Sequence, residues 1–495
     1  MSPPAQSVFD RRRSGVLLHP TSLPGSGLHG SIGSHALRFI DLLAATGQTV
    51  WQILPVGPTH EDGSPYQALS VNAGDAALID LETLVEEGWL RLEDLTALER
   101  HRPRERHARA LRLAYEGFLA RAEESDREAL AAFVRDQSSW LDDYALFVAL
   151  KHEQHHREWS QWPQPLRDRV ASALAKARRR HADLIDEIAF QQFVFFRQWS
   201  RLRSYAAEHG VLLFGDMPIF VSHDSVDVWV QRRLFDLDEV GAPRVVAGVP
   251  PDYFSSTGQR WGNPHYLWDT MAADGFKWWR DRVAMQMRLV DIVRIDHFRG
   301  FEAFWEIPAH EATAMAGHWV KGPGEALFDT LLAHYPRLPF VAEDLGYITP
   351  EVNALREKYR LPGMKILQFA FDSDGSNPYL PHNHTPETVV YTGTHDNNTT
   401  LGWYHALGTE QRHRVDDYLG AGAEPMPWPL VRAALASVAR LSVVPMQDVL
   451  GLGADHRMNT PGTTRDNWQW RFSWEQLHDS TVSRLLRLTR LYGRA

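Results

Sequence analysis

The chain has 495 residues, 44% of them hydrophobic and 23% charged, a balance that excludes a disordered or collagen-like protein. It contains no cysteine, which excludes disulfides, thiolate metal sites and a cysteine nucleophile and fits a reducing cytoplasm. With 52 basic against 62 acidic residues the formal charge is −10, so neither nucleic acid nor an anionic membrane is an expected partner.

The N-terminal stretch MSPPAQSVFDRRRSG lacks the apolar core of a signal peptide, and no apolar run is long enough to predict a membrane span. The first predicted strand is 15–19 (GVLLH). A helix follows, with Ala36, Leu37, Ile40, Leu43 and Ala44 on one face and Gly47 as its stop. The second strand is 49–54 (TVWQIL) and the third 211–216 (VLLFGD), too far apart for a single crossover. The segment between them is charged and helical in pattern. Leu111, Ala114, Tyr115, Phe118, Leu119 and Ala122 form one stripe, and Trp140, Tyr144, Phe147 and Val148 a second. Phe195, Trp199 and Leu202 begin a third that stops at Gly210. Residues 60–210 therefore read as a helical subdomain inserted between strands two and three.

Residues 220–285 read as a second insertion. It carries a glycine- and proline-rich aromatic loop, 248–264 (GVPPDYFSSTGQRWGNP), suited to a lid. Strands then recur at 291–296 (DIVRID), 338–343 (LPFVAE), 364–369 (MKILQF), 388–395 (TVVYTGTH) and 441–446 (LSVVPM). Thr349, Pro350 and Glu351 read as N-cap, N1 proline and first-turn acid of a helix that ends before 361–363 (LPG). Mostly apolar runs of this kind suit parallel strands covered on both faces. A doubly wound sheet would also alternate strand and helix. The count of eight favours one α/β domain over 1–495, a (β/α)8 TIM barrel with inserted helical subdomains.

Three motifs match known signatures without their context. Residues 152–156 (HEQHH) fit the zincin helix pattern, but Lys151, Arg157 and Glu158 flank them as on a solvated helix end, and no third ligand follows. Residues 25–30 (GSGLHG) fit a dinucleotide fingerprint. Pro20 and Pro24 separate them from the strand, and no acid closes a second strand. Residues 372–375 (DSDG) resemble a fragment of a calcium loop and read as a turn.

Catalytic groups of a barrel lie at the C-terminal ends of its strands, and three acids fall there: Asp296, Glu343 and Asp396. Arg294 is two residues before Asp296, hence on the same strand face, and a guanidinium there is expected to keep Asp296 ionised as a nucleophile must be. Glu343, close to two carboxylates, is expected to have a raised pKa suited to a proton donor, with Asp344 pointing the other way. Singly, each acid could be a salt-bridge partner or a helix cap. Together they are the usual apparatus of glycoside chemistry. The 18 Trp, 22 Phe and 14 Tyr supply candidate platforms for sugars.

Segments 294–300 (RIDHFRG), 342–346 (AEDLG) and 394–397 (THDN) resemble the catalytic segments of the 4-α-glucanotransferases. So do 19–25 (HPTSLPG), 63–67 (GSPYQ), 215–220 (GDMPIF), the 248–264 loop and 457–462 (RMNTPG), in order over nearly the whole chain. The resemblance implies Asp296 as nucleophile, Glu343 as general acid/base and Asp396 as transition-state stabiliser. It implies Arg294 and His395 on the hydroxyls of the cleaved sugar and Tyr66 stacked on it. It places Asp216 and Asn459 on the donor side. Asp252, Tyr253, Phe254, Gln259 and Trp261 fall on the acceptor side, with Ser64 and His297 also binding substrate. The wider α-amylase clan carries an acid-to-histidine segment after its third strand. Here 216–221 reads DMPIFV, which favours the glucanotransferases. Too few residues precede the first strand to hold the β-sandwich extension of some members.

The expected activity is retaining transfer of an α-1,4-glucan segment to the 4-hydroxyl of glucose or another malto-oligosaccharide, with no metal or organic cofactor. The oligomeric state is left open, a monomer included. The alternatives are a hydrolase with the same carboxylates, a non-catalytic glycan-binding protein and a zinc protease using His152 and His156.

Overall fold

The computed structural model describes residues 8–25, 27–251, 255–335, 337–420, 422, 424–463 and 465–495. The eight expected strands are all present and parallel. In chain order they are Arg13–Leu17, Val50–Gln52, Leu212–Pro218, Ile292–Asp296, Phe340–Ala342, Gly363–Ile366, Thr388–Tyr391 and Leu441–Pro445. Each pairs with the next in sequence except across one seam, and the eighth pairs back onto the first. At the seam, between the fifth and sixth strands, the Ala342 N–H donates to the Pro362 carbonyl at 2.8 Å. The Asp344 carboxylate accepts the Met364 N–H at 2.6 Å and pairs with Arg356 at 3.3 Å. Asp344 thus turns away from the barrel axis, as its place beside Glu343 requires of a strand with period two. Gly363 is needed here because a Cβ would stand 2.3 Å from Asp344 Oδ2.

The barrel axis is filled by one residue from each strand: Leu17, Val50, Phe214, Ile292, Val341, Met364, Val389 and Leu441. Period two then dictates what stands one layer higher on the same face. From the second, third, fourth, fifth and seventh strands these are Gln52, Asp216, Arg294, Glu343 and Tyr391, all buried. An apolar plug capped by a polar layer is therefore written into alternate positions of the strands.

Between the second and third strands the chain is mainly helical. Ala182–Glu208 is the longest element and packs on Leu141–Glu153, Pro103–Arg121 and Ser34–Ala45. Its buried face includes Phe190, Phe195, Trp199 and Leu202, and Gly210, at φ +70°, turns the chain into the third strand. Leu119, expected in the stripe of Pro103–Arg121, is instead 55% exposed. Helix Pro350–Lys358 has Thr349 at its N-cap in extended conformation but without a side-chain capping bond.

A four-stranded antiparallel sheet stands beside the barrel mouth, in the order Gln259–Pro264, Val245–Val249, Ala303–Pro308, His318–Lys321. Two of its strands come from the segment before the fourth barrel strand and two from the segment after it. None of the four is in the sequence reading, which took 248–264 as a loop and passed over the second pair. Trp305 and Glu306 are only half-buried there, so the apolar alternation is weak. Among the described residues no helix is long and apolar enough to cross a membrane.

Asp344→Ala is expected to lower stability by about 2–4 kcal/mol, because it leaves the buried Met364 N–H without its acceptor and removes the carboxylate paired with Arg356. Gly363→Ala is expected to do the same by clash. Denaturant unfolding checks both, and unchanged midpoints in the two variants would show that the seam is held elsewhere.

Candidate active site

The polar layer above the plug is organised by Arg294. One guanidinium nitrogen donates to Asp216 Oδ2 at 2.6 Å and the other contacts Asp296 Oδ1 at 2.9 Å. The Asp216 side chain has no exposed surface, whereas that of Asp296 keeps 29% and is open to a ligand. Tyr66, carried on the loop after the second strand, donates its hydroxyl to Asp216 Oδ2 at 2.8 Å. The Tyr66 hydroxyl oxygen also lies 2.8 Å from His395 Nε2; with its own proton given to Asp216, it accepts from that nitrogen. The Tyr66 and His395 rings lie 5.3 Å apart and nearly parallel. His395 Nε2 is also 3.2 Å from Asp396 Oδ2, and Asn459 donates to Asp396 Oδ1 at 2.6 Å. Asp296, Arg294, Asp216, Tyr66, His395, Asp396 and Asn459 thus form one connected polar network.

Glu343 is held separately. Its carboxylate accepts the His297 N–H at 2.7 Å and the Leu345 N–H at 3.0 Å. His297 takes the left-handed conformation, φ 51°, and so turns the chain sharply past Asp296. Its ring packs edge-on against Trp261, centroids 4.9 Å apart. Burial lowers its pKa to about 3, which keeps the ring neutral, and its Nε2 has no protein partner.

Burial pushes Glu343 up to about 7. The Asp296 charge adds to this, while Arg294 and the two N–H donors oppose it. Burial also pushes Asp296 up, to about 6, with Asp216 and Asp396 adding and Arg294 opposing. Arg294 was expected to keep Asp296 ionised and does favour the charged form, but the guanidinium is shared with Asp216 and burial outweighs its share. Asp396 goes the other way. Burial works against its charge, but His395, Asn459 and Arg294 hold it below the ordinary carboxylate range. Near neutral pH the site offers one carboxyl poised to give up a proton and carboxylates on either side of a guanidinium.

The other residues singled out from the sequence fall as follows. Ser64 lies in the turn before Tyr66, its N–H on Asp62 Oδ1 at 3.1 Å. Gln259 is exposed and accepts from Trp261 Nε1 at 3.1 Å, at the edge of the antiparallel sheet. Asp252, Tyr253 and Phe254 lie outside the described residues. His152 ends a helix with His156 in a left-handed turn beyond it, and among the described residues no group of three or more acids and histidines is placed to hold a metal ion. The 372–375 segment is a turn in which Asp374 accepts from Ser376. Residues 25 and 27–30 open no helix.

Sequence reading missed Trp468. Its ring centroid is 6.0 Å from both Tyr66 and His395, and its N–H is tied to the Met458 carbonyl at 2.7 Å. It belongs to no periodic segment, and its only signal was nearness to Asn459. It also missed Gln52 and Tyr391, which the period-two rule alone would have placed beneath the network. A cavity of about 50 Å3 lies behind Tyr66 and Asp216, with Ser70, Ser222, Arg282 and Gln286 among its lining. It is room for a few waters, not for a sugar.

The family model described as 4-alpha-glucanotransferase matches residues 18–477. A 4-alpha-glucanotransferase of Thermus thermophilus is 48% identical, over 96% of this chain and 97% of its own. One from Synechocystis is 46% identical, over 98% and 99%. The structure of an amylomaltase from Streptococcus agalactiae in complex with acarbose superposes with a TM-score of 0.95 at 38% identity, covering 98% of this chain and all of that one. The chain belongs to the 4-alpha-glucanotransferase family.

Proposed function

We propose that the protein transfers segments of α-1,4-glucans, with retention, to the 4-hydroxyl of glucose or another malto-oligosaccharide. The observation that carries this reading is the division of protons between Glu343, buried and poised near neutrality, and the Asp296–Arg294 pair. Glu343 gives its proton to the glycosidic oxygen while a carboxylate oxygen of Asp296 attacks the anomeric carbon. The leaving glucan departs with a free 4-hydroxyl, and a covalent β-glucosyl ester remains. The acceptor's 4-hydroxyl then returns a proton to Glu343, its oxygen attacks the same carbon, and Asp296 is released. Two inversions give net retention.

In this reading Asp396 and His395 hold hydroxyls of the sugar at the cleavage point, with Arg294 and Asn459 keeping them in place and Tyr66 beneath the ring. Asp216 is a positioning residue, since its buried carboxylate reaches only Tyr66 and Arg294. Glu343 marks a boundary. The network around Arg294 lies to one side, and His297, Trp261 and Gln259 lie to the other. We assign the first side to the donor and the second, with Ser64 nearby and the loop bearing Asp252, Tyr253 and Phe254, to the acceptor. The aromatic wall favours a sugar over water by excluding solvent. We further read 60–210 and 220–285 as insertions in the barrel that shape the two sides, and the cytoplasm as the site of action.

Incubation with maltotriose is expected to give glucose and a ladder of longer maltodextrins at constant total reducing ends. Rising reducing ends without a ladder would instead mean that water is the acceptor. Asp296→Asn is expected to abolish both.

The pH dependence follows from the two raised groups. Activity needs Asp296 ionised and Glu343 protonated, so kcat/KM is expected to fall as pH drops below about 6 and as it rises above about 7. A profile flat from pH 5 to 9 would sink the assignment. Glu343→Gln is expected to cost ~10²–10⁴ in rate. Its effect on stability has the opposite sign. Folding raises this carboxyl from its ordinary 4.5 to about 7, so the stability it contributes is lost as pH climbs through that window. Above pH 7 the variant is expected to gain up to about 3 kcal/mol, read from unfolding at pH 8 against pH 5.

A further inference from the structure

Tyr347 is 71% exposed, the most exposed aromatic side chain among the described residues; Tyr418 follows at 38%. A tyrosine ring left in water gains nothing for folding, and isolated exposed apolar groups are common enough to need no task. Two features set this one apart. The first is its place. Tyr347 is four residues beyond Glu343 on the loop leaving the fifth strand, so it lies within about 14 Å of the proton donor. The Leu345 N–H in between is one of the two donors on the Glu343 carboxylate.

The second feature is its support. The backbone of Tyr347 is pinned from below by Arg299, which donates to its carbonyl at 2.6 Å and is itself only 5% exposed. That guanidinium lies flat on Trp319 at 3.6 Å and 5.7 Å from the Tyr347 ring. Trp319 in turn packs edge-on against Trp305, centroids 5.1 Å apart, and Trp305 pairs with Gly248 in the antiparallel sheet. A buried cation and two tryptophans thus support a residue whose ring is left 71% exposed, with the Arg299 guanidinium against it. The ring is presented rather than merely tolerated, and little conformational freedom remains to be lost when something stacks on it.

The side it serves follows from Glu343. A general acid stands at the glycosidic oxygen, between the sugar that is cleaved and the sugar that leaves. The groups gathered around Arg294 occupy the first side. Arg299, Trp319 and Tyr347 come from the loops after the fourth and fifth strands and from the sheet that carries Trp261, which is the second.

Resting on the glucan-transfer reading above, we propose that Tyr347 is an outer stacking platform for the acceptor chain, engaging a glucosyl unit beyond the one that receives the transferred segment. Its ligand is the apolar C–H face of a sugar in an α-1,4-glucan of several units, and glucose alone does not reach it.

The test uses Tyr347→Ala and Tyr347→Phe in the full chain, with labelled glucose and labelled maltohexaose compared as acceptors at fixed donor. For Tyr347→Ala the acceptor KM of maltohexaose is expected to rise about fivefold with kcat unchanged, while that of glucose stays put. Tyr347→Phe, which keeps the face, is expected to restore the parent value. No change with maltohexaose, or an equal rise with both acceptors, overturns the platform. Glu343→Gln run alongside separates the two claims: if it still transfers at the parent rate, it is the catalytic reading that has failed, whatever Tyr347 does.

Discussion

Arg294 is the interaction on which the rest of the site depends. A guanidinium with 5% of its side chain exposed cannot stay charged in a barrel without anions to meet it, and it meets Asp216 on one nitrogen and Asp296 on the other. Asp216, wholly buried, would be equally costly without Arg294 and Tyr66. The three are therefore mutually obligatory, and they tie the third strand, the fourth strand and the loop after the second into one rigid unit. The planar fork of arginine matters here because a point charge would satisfy one carboxylate at the expense of the other.

Sharing the cation also decides which carboxylate keeps its proton. Arg294 neutralises about one anion, yet Asp216, Asp296 and Asp396 all lie within its field. Asp396 resolves the conflict with its own donors, His395 and Asn459, and stays an anion. Glu343 receives only two backbone N–H groups. Those bonds favour the charged form but fail to offset burial beside Asp296, so they serve mainly to aim the carboxyl. Glu343, Asp296 and Asp396 are thus driven apart in proton affinity by burial set against the charges and donors each one meets. In the proposed reaction that separation lets Glu343 act as acid while Asp296 acts as nucleophile.

The strands and two of the three acids were legible because both follow from period two, whereas Asp396 lies in the loop beyond Thr388–Tyr391. A strand covered on both faces reads as an apolar run, and its last inward position opens into the site, so Arg294, Asp296 and Glu343 could be placed from spacing alone. The same rule sent Asp344 outward, where it closes the seam. Four things were not legible. The antiparallel sheet was missed whole: Val245–Val249 and Gln259–Pro264 fall in and beside a glycine- and proline-rich stretch that reads as a loop, and Ala303–Pro308 and His318–Lys321 are only partly covered and alternate weakly. Leu119 was misplaced because a 3.6-residue stripe reaches one position past the edge of its contact. The rise of Asp296 was not foreseen because charge pairing shows in a sequence and burial does not. Trp468 was missed because it enters the site from irregular backbone at φ 64°, where no period applies.

The fold also keeps the two sides of the reaction separable. In the proposed assignment the donor-side groups hang from the third, fourth, seventh and eighth strands and the loop bearing Tyr66, and hydrogen bonds and ion pairs join them into one network. Acceptor-side groups are connected differently. His297 and Trp261 touch through ring edges, and Arg299, Trp319 and Tyr347 through a cation stacked on aromatic faces. Apart from the Arg299 hydrogen bond to the Tyr347 carbonyl, these contacts are made through ring faces and edges, and none of them reaches Arg294. Glu343 is the one group that belongs to both sides, by its charge to Asp296 and by its hydrogen bonds to His297 and Leu345. An enzyme that must bind one glucan tightly enough to cleave it, then accept many others, gains from that arrangement: a stiff polar grip on one side of the proton donor and an adaptable aromatic wall on the other.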